Sequence, residues 1–223
     1  PGAMGEKAAK ALLTCAGIAV NEERTVMDAG ALQAAASQLK FPLVLKVISS
    51  DIVHKSDVGG VALNIADAAD LQSRLRQMQR DLRRLAPQAR IEGFSLQTME
   101  SGDLELIVGA RRDAQFGPQV IVGAGGVLVE LFKDFTLLPA PTDADSVRAA
   151  LHRLKIAPLL GSYRGRGALD LEAVIDAVVR LSWLAADLCE QTAADVLEIE
   201  VNPLLVRQRG LGVTAVDARA LIK

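Results

Sequence analysis

FPLVLKVISSDIVHKSDVGGV, residues 41–61, is the stretch from which the rest of the chain is most readily interpreted. Phe41-Pro42 opens an apolar run, Leu43 to Ile48, whose length and β-branched content predict a strand. Lys46 interrupts that run. A lysine among apolar neighbours is costly unless it is paired or meets a ligand phosphate, whereas on an edge strand it is an ordinary guard against aggregation. The run alone admits both. A polar loop, Ser49 to Gly60, leads into a short strand, Val61 to Ile65. Gly59 and Gly60 allow backbone N–H groups to approach phosphate oxygens, and Lys55 and Ser56 add a charge and a hydroxyl. His54 offers an imidazole able to accept a phosphoryl group. A plain surface histidine is the other interpretation of His54, and the one adopted for His152, which falls in a helical pattern.

Outward from this stretch, helical and strand patterns alternate, which argues an α+β (mixed α/β) chain. Residues 6–16 have helical spacing and stop at Gly17, and Ala29 to Leu39 is alanine-rich and helical. Asp67 to Leu85 reads as a long charged amphipathic helix ended by Pro87. Strands are expected at Ile91–Met99 and Leu104–Gly109, with apolar segments Gln119–Gly123 and Val127–Phe132 around a Gly-Ala-Gly-Gly turn. Helices follow at Asp143–Lys155 and Asp170–Thr192, then a strand pair, Val196–Val206 and Gly212–Ala218. A boundary near residues 88–95 divides a small lobe, 6–90, from a larger one, 91–223. The opening Pro-Gly-Ala-Met-Gly, residues 1–5, reads as an expression scar and is set aside, which suggests a domain cut from a longer chain.

The C-terminal strand pair concentrates polar chemistry. Along Glu198-Ile199-Glu200-Val201-Asn202 the pleat puts both carboxylates and the amide on one face and Leu197, Ile199 and Val201 on the other. A turn centred on Gly210 makes Asn202 and Asp217 near cross-strand neighbours. Such hard oxygen donors suit Mg²⁺ completed by phosphates and water. A solvated polar sheet face would show the same pattern. Gly123-Ala124-Gly125-Gly126 completes no dinucleotide or phosphate-loop fingerprint. Tyr163-Arg164-Gly165-Arg166-Gly167 is a basic turn with a surface loop as its plain alternative.

Composition narrows the classes. In 223 residues half are hydrophobic and 23% charged, so a sizeable core is affordable and disorder is not expected. A net charge of −2 and only 3% aromatics leave no footprint for nucleic acid and no stacking platform for bases. Cys15 and Cys189 lack zinc or disulfide spacing and read as free thiols of a reduced cytoplasm. The longest apolar run, Val120 to Phe132, is too short to span a bilayer, and no secretory leader is read.

In combination these residues resemble a known family. Residues 41–61, Glu105-Leu-Ile-Val-Gly, Arg112-Asp113-Ala-Gln-Phe-Gly-Pro, Gly125-Gly-Val-Leu-Val-Glu130, Leu159-Leu-Gly-Ser-Tyr-Arg-Gly and Glu200-Val-Asn-Pro-Leu closely resemble the ATP-grasp domain of NDP-forming acyl-CoA synthetases. This group includes ADP-forming acetyl-CoA synthetase and is related to the succinyl-CoA synthetase β subunit. The resemblance implies an ATP-grasp fold, two lobes with nucleotide between them, and the reaction acid + CoA + ATP ⇌ acyl-CoA + ADP + phosphate through an acyl phosphate and a phosphohistidine on the partner CoA-binding and ligase domains. It implies that Lys46 holds nucleotide phosphates, that Gly59 and Gly60 lie on the phosphate loop, and that Gln97, Thr98 and Met99 form a hinge meeting adenine through backbone groups. Glu105 would meet the ribose, Glu200, Asn202 and Asp217 would hold Mg²⁺, and His54 would be a catalytic phosphoryl relay. The substrate would be ATP or another NTP, and the partners CoA-binding and ligase domains of the same chain or of a partner subunit, in the cytoplasm, with neither nucleic acid nor membrane. Two positions depart from the family: Thr98 stands where glutamate is common, and Thr136-Leu137-Leu138 lacks an arginine often found there. The altered hinge and the apparent excision suggest an alternative, a non-catalytic nucleotide-sensing module within a larger acyltransferase-type protein. A ligase joining a carboxylate to an amine is disfavoured by the histidine loop.

Overall fold

The computed structural model describes residues 2–52, 54–126, 133–192 and 197–222. The chain divides into two compact units, one formed by residues 21–99 and the other by residues 1–20 together with 100–223. The second therefore receives the first as an insertion in its sequence.

Unit 21–99 is a four-stranded antiparallel sheet with helices on one face. Its strands are β2 (Glu23–Val26), β3 (Leu43–Ile48), β4 (Val61–Ile65) and β5 (Gly93–Thr98), in the order β2-β5-β3-β4. Leu43, Leu45, Val47, Phe94 and Leu96 alternate onto one face and pack with α2 (Leu32–Ala36) and α3 (Ala68–Leu85). In α3 the buried Leu71, Met78 and Leu82 recur at helical spacing. Asp67 caps the helix by accepting from Ala69 N at 2.8 Å and Asp70 N at 2.9 Å. The helical pattern read over Ala29–Leu39 shortens to a 3₁₀ turn, Ala29–Ala31, and one and a half turns of α2.

The other unit is a larger antiparallel sheet. It comprises β1 (Gly2–Met4), β6 (Leu104–Asp113), β7 (Gly117–Ala124), β8 (Phe135–Pro139), β9 (Leu197–Val206), β10 (Val213–Ala215) and β11 (Ala218–Ile222). The order is β1-β11-β9-β6-β7-β8, with β10 also paired to β9. One face carries Leu106, Val108, Ala110, Val120, Val122, Ile199, Val201 and Ala220 into a core shared with α1 (Glu6–Cys15), α4 (Ala144–Arg153), α5 (Ala157–Leu160) and α6 (Leu171–Thr192). The β6–β7 turn is set by Asp113, whose Oδ1 accepts from Gln115 N at 2.9 Å and Phe116 N at 3.0 Å, which holds its carboxyl below the usual range.

The units divide elsewhere than the chain order suggests. The boundary near 88–95 is not where the units divide, because β5 is an interior strand of the small sheet, and residues 6–20 belong with the large unit, where α1 packs beside β11. Residues 2–4, set aside as a scar, pair with β11 from Gly2↔Ile222 to Met4↔Ala220. The expected apolar segment Val127–Phe132 and the first residue of Val196–Val206 lie outside the described residues.

Candidate functional site

In unit 21–99 the alternation of β3 that buries Leu43, Leu45 and Val47 turns Lys46 to the opposite face, where it is only 8% exposed. Lys46 lies opposite Ser95 on β5 and Val61 on β4, so β3 is interior and the edge-guard interpretation of Lys46 falls. Around it runs a polar chain along the helix-free face. Ser95 Oγ donates to Glu23 Oε1 at 2.8 Å, Gln97 Nε2 donates to Ser95 Oγ at 2.9 Å, and Asn21 Nδ2 donates to Gln97 Oε1 at 3.2 Å.

The 49–60 loop is fastened at both ends. At its start, Ser50 N and Oγ donate to Glu92 Oε1 at 3.0 and 2.6 Å, which draws the Glu92 carboxyl below its ordinary range. At its end, Val47 N donates to Gly60 O at 2.8 Å, joining the loop to the strand that carries Lys46. His54 is exposed and precedes a 3₁₀ turn, Lys55–Val58. The glycines serve close packing here. A Cβ on Gly60 would meet Val47 Cγ1 at 2.6 Å and Lys55 O at 2.9 Å, and Gly59 has φ +70°. Contrary to expectation, the N–H groups of Gly59 and Gly60 are spent inside the loop, on Ser56 O at 3.2 Å and Lys55 O at 2.7 Å. In this conformation they do not present themselves to a phosphate. The expected hinge is similarly committed: Thr98 N donates to Glu22 O and Met99 N to Pro42 O, both at 3.0 Å, while Thr98 O accepts from Asn21 Nδ2 at 3.2 Å.

In the large unit, the open face of the sheet brings the other candidates together. Asn202 N donates to Asp217 O at 3.2 Å, and Ala218↔Val201 and Arg219↔Glu200 continue that register, so Asn202 and Asp217 are direct neighbours and Glu200 follows on the same face. Asn202 Oδ1 accepts from Gly126 N at 2.9 Å. Glu105, exposed on β6, closes the group: Gly126 has φ +59°, and a Cβ there would collide with the Glu105 carboxylate. Gly126 thus sits between Glu105 and Asn202 and orients the amide. Among the described residues no three His, Cys, Asp or Glu side chains form a ready cation cage. Two carboxylates and one amide, each a hard oxygen donor, fit Mg²⁺ only with phosphate and water completing the shell.

The contacts of three contributors escape a sequence reading. Asn21 bonds Gln97 across 76 positions and Gly126 bonds Asn202 across 76, separations at which no local spacing speaks. Arg219 was marked by no motif, although a basic residue opposite Glu200 was implicit in the pairing that brings Asp217 to Asn202.

Residues 2–222 match the family described as ATP-grasp domain. The chain is 32% identical over 99% of its length to subunit beta of the ADP-forming acetate–CoA ligase II of Pyrococcus furiosus, covering 92% of that subunit. It is 39% identical over 84% of its length to the ADP-forming acetate–CoA ligase I of Archaeoglobus fulgidus, of which it spans 26%. Acetyl-coenzyme A synthetase 1 of Ca. Korarchaeum cryptofilum, solved with coenzyme A and Ca-AMPCP, superposes with a TM-score of 0.91 at 33% identity, over 100% of this chain and 94% of that one. A second structure of that protein holds coenzyme A and Mg-AMPPCP, with its phosphohistidine segment pointing towards the nucleotide binding site; the TM-score is 0.83 at 30% identity, over 99% and 93% of the two chains.

Proposed function

The chain belongs to the ATP-grasp domain family, and from that membership we propose that it is the nucleotide-binding, phosphoryl-transferring part of an NDP-forming acyl-CoA synthetase. The observation that carries the reading is the coupling of Lys46 to the histidine loop. A buried lysine on an interior strand and an exposed His54 belong to one strand and the loop that follows it, which the Val47–Gly60 hydrogen bond ties together, and this supports reading Lys46 as a phosphate-binding cation and His54 as a phosphoryl acceptor.

The overall reaction is acid + CoA + ATP ⇌ acyl-CoA + ADP + phosphate. Lys46 neutralises phosphate oxygens of the nucleotide from a buried position beside the polar chain through Ser95 and Gln97. A ring nitrogen of His54 attacks the γ-phosphorus while the bond to the β-phosphate oxygen breaks and ADP leaves; the phosphoryl group then passes to the partner domains, where it forms an acyl phosphate that the CoA thiol resolves with release of phosphate. Glu105 meets the ribose, and Gln97, Thr98 and Met99 border the base. Glu200, Asn202 and Asp217 would hold Mg²⁺, which, when bound with the nucleotide, stabilises the charge that develops on the transferring phosphoryl. The partners are CoA-binding and ligase domains, in the same chain or a second subunit, and the setting is the cytoplasm, with neither nucleic acid nor membrane involved. Among the described residues no helix is long and apolar enough to cross a membrane.

Calorimetry with Mg·ATP tests the first half: binding is expected in the wild type and lost in Lys46→Ala. Labelling with γ-phosphate-labelled ATP in the presence of the partner domains tests the second, with an acid-labile phosphoryl group expected on His54 and absent from His54→Ala. Undiminished binding by Lys46→Ala, or no nucleotide-dependent thioester when the partner domains are supplied, refutes the reading. One observation favours the sensing alternative: Thr98 stands in the hinge where the family commonly has glutamate. Nucleotide binding with no phosphorylated protein under any condition would decide for it.

A further inference from the structure

The open face of the large sheet already contains a cation. Arg219 on β11 lies directly opposite Glu200 on β9, and a single guanidinium nitrogen, Nη2, donates to Glu200 Oε2 at 2.8 Å and to Glu198 Oε1 at 3.1 Å. Glu198 and Glu200 are two positions apart on one strand and share a face, so their carboxylates repel unless a positive charge lies between them. Arg219 supplies that charge. One oxygen of a carboxylate expected to receive Mg²⁺ is thereby occupied before any ion arrives. The guanidinium is 65% exposed on its side chain, so the pair is weak and screened by salt, and its second carboxylate is already within hydrogen-bond distance.

We propose that Arg219 is a displaceable counter-cation of the divalent-ion site: with no ion present it is shared between Glu200 and Glu198, and ion binding at Glu200, Asn202 and Asp217 transfers it wholly to Glu198. The inference rests on the assignment of those three residues to the metal in the proposed function. Arg219 is a positioning residue, acting through Glu200. Its consequence is an ion affinity kept low until a nucleotide brings phosphate oxygens to the same face. A second charged group beside Glu198 is Arg111 on β6, which lies opposite it in the β6–β9 register but directs its guanidinium to Gln119 Oε1 at 3.2 and 3.3 Å and lies 3.8 Å from Asp113 Oδ2. Arg111 therefore serves as a control of equal charge without a bond to Glu200.

The test is Mn²⁺ binding to the nucleotide-free chain, read as free Mn²⁺ by electron paramagnetic resonance. Arg219→Gln is expected to tighten binding about two- to fivefold, the range that corresponds to an exposed ion pair, and Arg111→Gln to change it by clearly less. In a Glu200→Gln background the gain from Arg219→Gln should vanish, since the competition is for that carboxylate. A second measurement needs no variant that might fold poorly: in the wild-type chain, the Arg219 side-chain ¹⁵Nε resonance should move on Mg²⁺ titration while that of Arg111 stays. Unchanged or weaker Mn²⁺ binding by Arg219→Gln overturns the proposal, as does an equal gain from Arg111→Gln, which would make net charge the whole effect. If the wild type and all variants bind no Mn²⁺ and also show no Mn²⁺-dependent binding of a non-hydrolysable ATP analogue, the metal assignment falls and this inference with it; if Mn²⁺ binds and only the Arg219 effect is missing, the assignment stands and the inference alone fails.

Discussion

Asp170, 8% exposed at the head of α6, accepts from Gly210 N at 2.9 Å and Gly212 N at 2.8 Å, while its own N–H donates to Arg207 O at 2.9 Å. One carboxylate thus ties the turn between β9 and β10 to a helix start, and that turn sets the pairing that brings Asp217 to Asn202. Replacing Asp170 by alanine leaves three backbone donors, Ala173 N among them, without their charged acceptor, so Asp170→Ala is expected to destabilise the protein by about 2–3 kcal/mol in denaturant unfolding; a loss below about 0.5 kcal/mol, the level of an ordinary surface change, would show that the turn is held by something else. The same residues show what a sequence reveals. Asn202 and Asp217 could be paired on paper because an antiparallel hairpin centred on Gly210 keeps its register. Nothing on paper identified Asp170 as the latch, since its partners lie 40 and 42 positions away.

Elements were legible where periodicity had a buried face to report. α3 and α6 were read to within one residue because a core on one side imposes the pattern, whereas Val61–Ile65, of which only Ile65 is buried, was read to the residue as the short run that follows Gly59-Gly60. β2, Glu-Arg-Thr-Val, has no such signal: it is a strand because β5 offers it an edge, from Glu23↔Gln97 to Val26↔Phe94. The strand expected at Gly212–Ala218 divides into β10 and β11 on either side of residues 216 and 217, which is what gives Asp217 its place beside Asn202. Two predictions belong at this scale. Gly60→Ala forces a methyl group against Val47 and the Lys55 carbonyl, and should cost about 1–3 kcal/mol as overpacking, together with a loss of Mg·ATP affinity in calorimetry, because it unseats the loop that carries His54. The second concerns the other end of that loop. Hydrogen bonds from Ser50 lower the Glu92 pKa in the folded state, so this fastening contributes at neutral pH and is lost as the pH falls through the folded-state value. Exchange of the Ser50 amide, corrected for its intrinsic pH dependence, should therefore lose protection in acid in the wild type, whereas Glu92→Gln should show the pH-independent remainder alone.

At the scale of the whole molecule the two units have separate cores. Leu32, Leu43, Leu45, Ile65, Met78 and Leu96 belong to one cluster and Leu13, Leu106, Leu151, Leu181 and Ile199 to another. The division at residues 20/21 and 99/100 was not legible because chain order conceals it. Composition does not shift where β5 ends, and α1, first in sequence, packs on β11, the last strand. Within unit 21–99 the two ends are side by side: Thr98 N donates to Glu22 O, and Asn21 Nδ2 to Thr98 O. Both junctions with the rest of the chain therefore leave from one corner of the small sheet, the arrangement that tolerates excision of an inserted domain. Residues 21–99 alone are expected to fold, with a dispersed amide spectrum and a single cooperative thermal transition. Residues 1–20 joined to 100–223 by a short glycine-serine linker should do the same. A fragment of this size buries a smaller fraction of its surface than the full chain, so its transition should fall below that of the intact protein. A collapsed fragment with native-like far-ultraviolet dichroism but no amide dispersion would mean that the small core needs the rest of the chain to fix its packing, and that the support shared by Lys46 and His54 is not a property of the small unit alone.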